Sequence, residues 1–367
     1  LAVLALIGTI ITTAQAVMTR RFARTAPPAS RVDAFVSILK PVCGLDDELE
    51  QNLASFTRLR GIRYEVIISA ETPDDPAVEV AQRVMRAHPD APFRLVIDPG
   101  SRRGVVNRKV ERLIAAARVA TGDIFFISDS NVRVEPDDFA RTVAHFADSR
   151  VGCVSNLFTG SGAATFGATI ESLHLLGFVV PGAVLANAAG VPCVVGKSMA
   201  ISRRAHDAIG GFEVFRRVLA EDQAIGLAVR DAGLEVVLSP VTVRNVVVHR
   251  TLRRAIDRQV RWNKIRYSFS RWMYVAEIVV NPLAFSMAIA MGSPLFPLLV
   301  VVARWLQLAL LNRATRARMS WRQLALAPLL DAAMLYAWFV PFFSDEVTWR
   351  GYRARIGRGT EMEEIAA

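Results

Sequence analysis

Four short apolar runs punctuate the first third of the chain: Ala34–Leu39, Tyr64–Ser69, Phe93–Ile97 and Asp123–Ser128. Each is too short for a helix and too continuous for a half-exposed strand, so each reads as a strand buried on both faces. Between them, Asp46–Leu59, Pro76–His88 and Asn107–Ala120 repeat apolar residues at helical spacing. Strand and helix in alternation predict an α/β fold, a mainly parallel, Rossmann-like sheet with helices on both faces. Ligands of such sheets bind beyond the carboxyl ends of the strands. From Val151 to Val248 the alternation weakens and glycines gather (Gly190, Gly196, Gly210, Gly211). We read this block as the second half of the same domain, 32–250.

Longer apolar stretches flank that domain. Leu1–Met18 carries no charge and ends at Arg20, Arg21 and Arg24. About 20 apolar residues cross a bilayer core, and there is neither a basic region before the run nor a small-residue cleavage site after it. Segment 1–24 therefore reads as a transmembrane helix with a basic flank, a signal peptide being the weaker alternative. The arginines place that flank, and the domain after it, in the cytoplasm. Near the other end, Ile278–Ala303 is uncharged but holds Pro282, Pro294 and Pro297, and Leu324–Phe343 is interrupted only by Asp331. Segment 276–345 is the C-terminal transmembrane region; its first run is one kinked span or, the preferred reading, the first part of two, the second continuing through Trp305 to Leu311. Arg313, Arg316 and Arg318 favour the cytoplasm, as do Arg350, Arg353, Arg355 and Arg358 in the basic tail 346–367, yet one span lies between the groups. A re-entrant segment broken at Pro328 or Pro341 would remove the conflict. Segment 251–275 is basic and amphipathic, as a helix lying on a membrane surface is.

Hydrophobic residues make up 52% of the 367, and 44 Lys and Arg against 34 Asp and Glu leave a net charge of +10. Nucleic acid is one reading of such a charge. The arginines stand beside apolar spans, though, so anionic lipid headgroups explain them better, and no nucleic-acid partner is expected. Cys43, Cys153 and Cys193 are odd in number and widely spaced, which suits reduced thiols.

Candidate chemistry lies at the predicted strand ends. After Ser69 come Glu71, Asp74 and Asp75. An acid there could accept a bond from a base N–H, although Asp75-Pro76 equally reads as a helix start, Asp as N-cap and Pro at N1. After Ser128 come Asp129, Ser130 and Asn131; an aspartate beside a diphosphate could hold Mg²⁺ or Mn²⁺, while turns also favour these three residue types. Glu221 and Asp222 open a helix, where acids are ordinary dipole partners and where Asp222 could serve as a general base. Asn107 and Lys109 open another helix at a strand end, suited to nucleotide or phosphate. Arg258 and Arg261 share a helical face three residues apart and could grip a diphosphate, with Trp262 against an acceptor. A basic interfacial helix with Trp at headgroup level would look the same.

Taken together the motifs resemble the ceramide glucosyltransferase family of inverting, GT-A-type transferases. Lys40-Pro41, Gly44, Asp46 and Asn52-Leu53 resemble its KP–G–D–NL opening. Asp74-Asp75-Pro76-Ala77 resembles its first acidic motif, Asn107 and Lys109 its N-x-K element, Asp129-Ser130 with Arg133-Val134 its second motif, and Ala220-Glu221-Asp222 its third. Arg258, Arg261 and Trp262 resemble its (Q/R)xxRW, and Cys193, Gly196, Trp349-Arg350, Tyr352-Arg353 and Gly359-Thr360 also sit in family-like segments. Asn131 departs from the pattern where a full DXD would have its second aspartate.

The resemblance implies transfer of a hexose, glucose first, from a UDP-sugar to the primary hydroxyl of a membrane lipid with inversion. Asp74, Asp75, Asn107 and Lys109 would lie near the nucleotide, with Glu71 added only by its position at a strand end, and Asp129 would hold the metal. Asp222 would act as base, with Arg258, Arg261 and Trp262 beside the departing diphosphate and acceptor. The expected setting is an integral protein of the bacterial inner membrane. The acceptor stays open between ceramide and a hopanoid taking N-acetylglucosamine. A processive polysaccharide synthase, with more spans, and a non-catalytic scaffold or transporter, with more polar residues inside its spans, are the rival classes.

Overall fold

A computed structural model describes residues 1–100, 107–289, 292–349 and 352–365. The chain divides into two compact units, one made of Thr25–Phe158 and Ala186–Val246, the other of Leu1–Arg24, Thr159–Leu185 and Val247–Ala367. Thr159–Leu185, read from the sequence as part of the 32–250 domain, thus groups with the second of these.

The first unit is organised by a sheet. Its four predicted strands form as β1 (Phe35–Pro41), β2 (Arg63–Ala70), β3 (Phe93–Ile97) and β4 (Ile124–Ser128). Pairings β1–β2, β1–β4 and β2–β3 are all parallel. Further on come β5 (Val132–Arg133), β6 (Val151–Ser161), β7 (Ser198–Ser202) and β8 (Glu235–Val246). Among the described residues the sheet has eight strands in the order β3-β2-β1-β4-β7-β6-β8-β5. β7 is antiparallel to both β4 and β6, and β5 to β8. The parallel half is the one the apolar runs announced; the antiparallel half is new.

Alternation along β4 divides the core. Phe125 and Ile127 enter a cluster with Leu39, Ile67 and the helix residues Val110, Leu113 and Ile114. Phe126 points to the opposite face, stacked on Phe139 with ring centroids 3.6 Å apart, and Phe56 meets Phe139 edge-on at 5.7 Å. The three predicted helices lie between the parallel strands as Leu49–Ala54, Pro76–Ala87 and Arg108–Val119. Asp75 caps the second by accepting the Ala77 N–H at 2.9 Å, and Asn107 caps the third by accepting those of Lys109 and Val110.

The second unit is mostly helical. Among the described residues, three helices are long and apolar enough to cross a membrane: Ala2–Phe22, Phe166–Ala188 and Leu295–Thr315. The sequence reading anticipated the first and third but not Phe166–Ala188, most of which is buried inside the protein. Ala2–Phe22 turns a stripe of small or short residues inward (Ala5, Gly8, Thr12, Ala16). A Cβ on Gly8 would stand 2.2 Å from the Val279 carbonyl oxygen, so the close approach requires glycine. Leu6, Ile10, Leu298, Leu299 and Leu306 remain exposed on the outer faces of the two long helices, as contact with lipid tails demands.

The stretch from Glu277 to Met287 is a 3₁₀ turn and the six-residue helix Pro282–Met287, so among the described residues the first C-terminal run holds one long helix where two spans were expected. After the short helix Trp321–Leu324 comes the 13-residue helix Ala327–Phe339, continued by the turn Val340–Phe342. At 1.5 Å per residue it is about 24 Å long, short of the roughly 30 Å of a hydrocarbon core. A segment that short need not put the arginine groups before and after it on opposite sides. The region 346–367, expected as a basic tail, instead forms a three-stranded antiparallel sheet among its described residues, β9 (Glu346–Trp349), β10 (Tyr352–Ile356) and β11 (Met362–Glu364). Arg350 lies outside the described residues.

Candidate active site

Asp129 directly follows β4, so the strand delivers its carboxylate to the sheet's carboxyl edge. Its Oδ1 lies 2.9 Å from Lys109 Nζ and its Oδ2 3.0 Å from Lys197 Nζ. Burial alone would raise the pKa of this acid. The two ammonium groups outweigh burial and hold it well below the usual carboxylate range. Lys109 stands in the first turn of its helix, where the dipole disfavours a cation. Carboxylates compensate: Lys109 Nζ also reaches Glu221 Oε1 at 2.9 Å. Burial would lower its pKa, but Asp129, Glu221 and Asp222 together raise it above the ordinary lysine value. Glu221 also accepts a bond from Asn107 Nδ2 at 3.0 Å, and burial pushes its pKa up against the pull of Lys109.

Asp222 joins the cluster through the backbone. Its Oδ2 accepts the N–H of Gly196 at 2.6 Å, while the Gly196 carbonyl accepts from Lys109 Nζ at 3.3 Å. The next residue, Gln223, clasps the same segment by accepting the Val194 N–H and donating to the Pro192 carbonyl. One helix N-terminus thus fixes the loop from Pro192 to Gly196 and half-buries the Asp222 carboxylate beside Lys109.

The loop Asp129-Ser130-Asn131 is itself fastened by the opening motif. Lys40, fully buried, donates to the Asp129 carbonyl at 2.5 Å and to Ser128 Oγ at 3.3 Å. Burial lowers its pKa to about 7. Ser130 Oγ donates to Asp46, and Asn52 Nδ2 to the Ser130 carbonyl. Asn131 Oδ1 accepts from Lys197 Nζ at 2.9 Å. Residues quoted only for their resemblance to a family's opening motif therefore hold the acidic loop in place.

The other nucleotide candidates stand elsewhere in this unit. Glu71, just past β2, pairs with Arg108 and, at 3.2 Å, with Arg112. Burial would raise its pKa, and the two arginines bring it below the usual value. Asp75 is a helix cap that also accepts the Gly44 N–H at 2.9 Å, where φ is +66°. Asp74 is exposed. The sequence reading passed over Lys197 altogether; three acids converging on one edge need more than one cation, and that imbalance was the available signal.

Arg258, Arg261 and Trp262 belong to the other unit, on the helix Leu252–Phe269. Arg258 lies with its guanidinium carbon 4.1 Å from the Trp262 ring centroid and Nη1 3.4 Å from Glu171 Oε1. Glu171 is almost wholly buried and also pairs with Arg250 at 3.1 Å. Arg261 is half-buried one turn along. Arg258 is thus a stacked, ion-paired group and not a bare cation.

The sheet order, with its parallel half and antiparallel continuation, is of the GT-A glycosyltransferase kind. A mannosyltransferase from Pyrobaculum calidifontis, solved with GDP-Man and Mn²⁺, matches 93% of this chain and 99% of its own with a TM-score of 0.54. At 18% identity that likeness speaks for the fold alone. The model of glycosyl transferase family 21 matches residues 1–362, and the chain belongs to that family. It is similar to ceramide glucosyltransferase 1 of Caenorhabditis elegans, 26% identical over 70% of this chain and 55% of the relative. Ceramide glucosyltransferase 3 of the same organism is 25% identical over 79% and 65%. The chain thus spans under two thirds of the length of these relatives.

Proposed function

We propose that this protein transfers a hexose, glucose first, from a UDP-sugar to the primary hydroxyl of a membrane lipid such as ceramide, with inversion at the anomeric carbon. The observation that carries the reading is Asp222, half-buried and oriented by the Gly196 amide beside a lysine–carboxylate cluster at the sheet's carboxyl edge. Asp222 receives the proton of the lipid hydroxyl as that oxygen bonds to the anomeric carbon, and the bond from that carbon to the diphosphate breaks, releasing UDP. A carboxylate is a weak base for an alcohol, so proton removal and attack are concerted and positioning supplies much of the rate. Each Asp222 oxygen accepts one backbone N–H, which leaves lone pairs for that proton.

The similar relatives named as ceramide glucosyltransferases support sugar and acceptor, and the exposed apolar faces of the long helices support a membrane setting. We assign the membrane-cytoplasm boundary of a bacterial inner membrane to the site. Asn107 and Lys109 would meet the nucleotide, and Arg258, Arg261 and Trp262 the leaving diphosphate and the acceptor.

A divalent ion suits the acidic loop. Three carboxylates face two lysines there, and Asp129 and Asn131 offer the hard oxygen donors that Mg²⁺ and Mn²⁺ take. Among the described residues no three His, Cys, Asp or Glu side chains could hold a metal by themselves, so the donor's phosphate oxygens would complete the shell. Bound there, the ion would offset charge on the leaving diphosphate.

The test is direct. Purified protein is incubated with radiolabelled UDP-glucose, UDP-galactose or UDP-N-acetylglucosamine and with ceramide or a hopanoid. Label in a β-linked ceramide product from UDP-glucose is the expected result. Label in polymer, or in no product with any pair, overturns the reading.

A further inference from the structure

Within the helical unit, and among the described residues, His174 and Gln259 bury three polar atoms without a hydrogen-bond partner near Trp262. His174, 1% exposed, ends the helix Phe166–His174 and leaves Nδ1 unpaired. Gln259, also 1% exposed, leaves both Oε1 and Nε2 unpaired. The His174 ring meets Trp262 edge-on at 5.9 Å and Phe178 face-on at 5.8 Å. Gln259 stands one turn before Trp262 on the same helix, next to Arg258, whose partner Glu171 lies one turn before His174. Helix regularity also breaks here, since Leu175–Val179 is a π-helical turn, a feature frequent at functional sites.

Unpaired buried polar atoms destabilise a fold, and an apolar residue of equal shape would serve packing better. A ligand carrying both hydrogen-bond donors and acceptors removes that cost. It must enter among apolar helices, so it is an amphiphile.

We propose that His174 and Gln259 form the subsite for the polar head of the lipid acceptor, one whose reacting hydroxyl sits beside a further amide or hydroxyl. Trp262 and Phe178 flank that head with aromatic surface. The inference rests on the proposed lipid acceptor, and it adds which residues recognise it. Ceramide, with its amide and second hydroxyl, and a polyhydroxylated hopanoid share this chemistry.

The test uses the chain of residues 1–367 in detergent micelles with His174→Phe, Gln259→Leu and the length-matched Gln259→Met. Binding of short-chain ceramide, of a hopanoid polyol and of a plain long-chain alkane is followed by tryptophan fluorescence, which requires no turnover. Steady-state KM values for donor and acceptor are measured alongside. Unfolding temperatures unchanged or raised are expected, with head-bearing lipid bound about five- to tenfold more weakly, as the loss of a hydrogen bond predicts. Alkane binding and the donor KM stay as in the wild type. The better-bound of the two lipids in the wild type identifies the source of the head. Wild-type affinity for both lipids in the variants, or a fall in unfolding temperature in both Gln259 variants, overturns the subsite. Failure of the wild type to glycosylate any lipid instead overturns the proposed function, and binding still decides the subsite.

Discussion

Asp222 and Gly196 meet through a 2.6 Å hydrogen bond from the Gly196 amide to the Asp222 carboxylate. The contact depends on the absence of a side chain, since a Cβ on Gly196 would stand 2.6 Å from Lys109 Nζ and 3.2 Å from Asp222 Cβ. Gly196→Ala should therefore displace both groups while leaving the sheet intact. A rate reduction of about tenfold or more is expected, in line with the sensitivity of catalysis to small misplacements, with a circular-dichroism spectrum like the wild type. Full activity would mean that this contact does not position the base.

Lys197 holds the second oxygen of Asp129 and the side chain of Asn131. Lys197→Met removes a cation from the acidic loop and should raise the donor KM about tenfold while sparing that for the lipid, the effect of losing one charge-assisted hydrogen bond. Kinetics with each substrate varied in turn separate the two constants. Equal changes in both would point to general loosening of the loop.

Chelation tests the metal. EDTA should lower the wild-type rate at least about tenfold, and added Mg²⁺ or Mn²⁺ should restore it. Asp129→Asn should stay slow whatever metal is supplied. Full activity in EDTA would leave Lys109 and Lys197 as the cations that matter.

Asp138 provides a pH test of stability away from the site. It is buried below the sheet, where its Oδ2 accepts the Glu135 N–H at 2.8 Å, and burial pushes its pKa up to about 7. The unfolded acid titrates near 4. Between those values the folded state binds more protons than the unfolded one, so this group's contribution to stability falls as pH rises from about 4 to about 7. Asp138→Asn, which keeps an acceptor but never ionises, should match the wild type near pH 4 and exceed its stability by roughly 3–4 kcal/mol at pH 8, about three pKa units at 1.36 kcal/mol each. Denaturation of both proteins at each pH checks it; a difference independent of pH would show that Asp138 titrates normally.

The parallel half of the sheet was legible because β1, β2 and β4 each carry a compact apolar stretch (Ile38-Leu39, Val66–Ile68 and Ile124–Ile127), and two of their helices announce themselves through caps at Asp75 and Asn107. β6 was not, because Ser155, Asn156 and Thr159 break its apolar pattern. They are buried all the same, and Asn156 bonds Thr142 and Ser198; local polarity hid a core strand whose hydrogen bonds come from distant residues. The sheet formed by β9, β10 and β11 was hidden by its charges, since Arg353 and Glu346 pair across neighbouring strands. At the candidate site, spacing marked Asn107, Lys109, Asp129 and Asp222 as worth attention. It could not reveal that Lys40, Asp46 and Asn52 secure the Asp129 loop, nor that Lys197 completes it, because those bonds bridge up to about ninety residues of sequence and leave no local period.

The most direct measurement is the rate of sugar transfer to lipid by purified Asp222→Asn beside the wild type, with UDP-sugar binding measured on the same samples. The account predicts a fall of about 10² to 10⁴-fold, the usual contribution of a general base, with donor affinity retained. Transfer at the wild-type rate by a folded, donor-binding Asp222→Asn protein would contradict it.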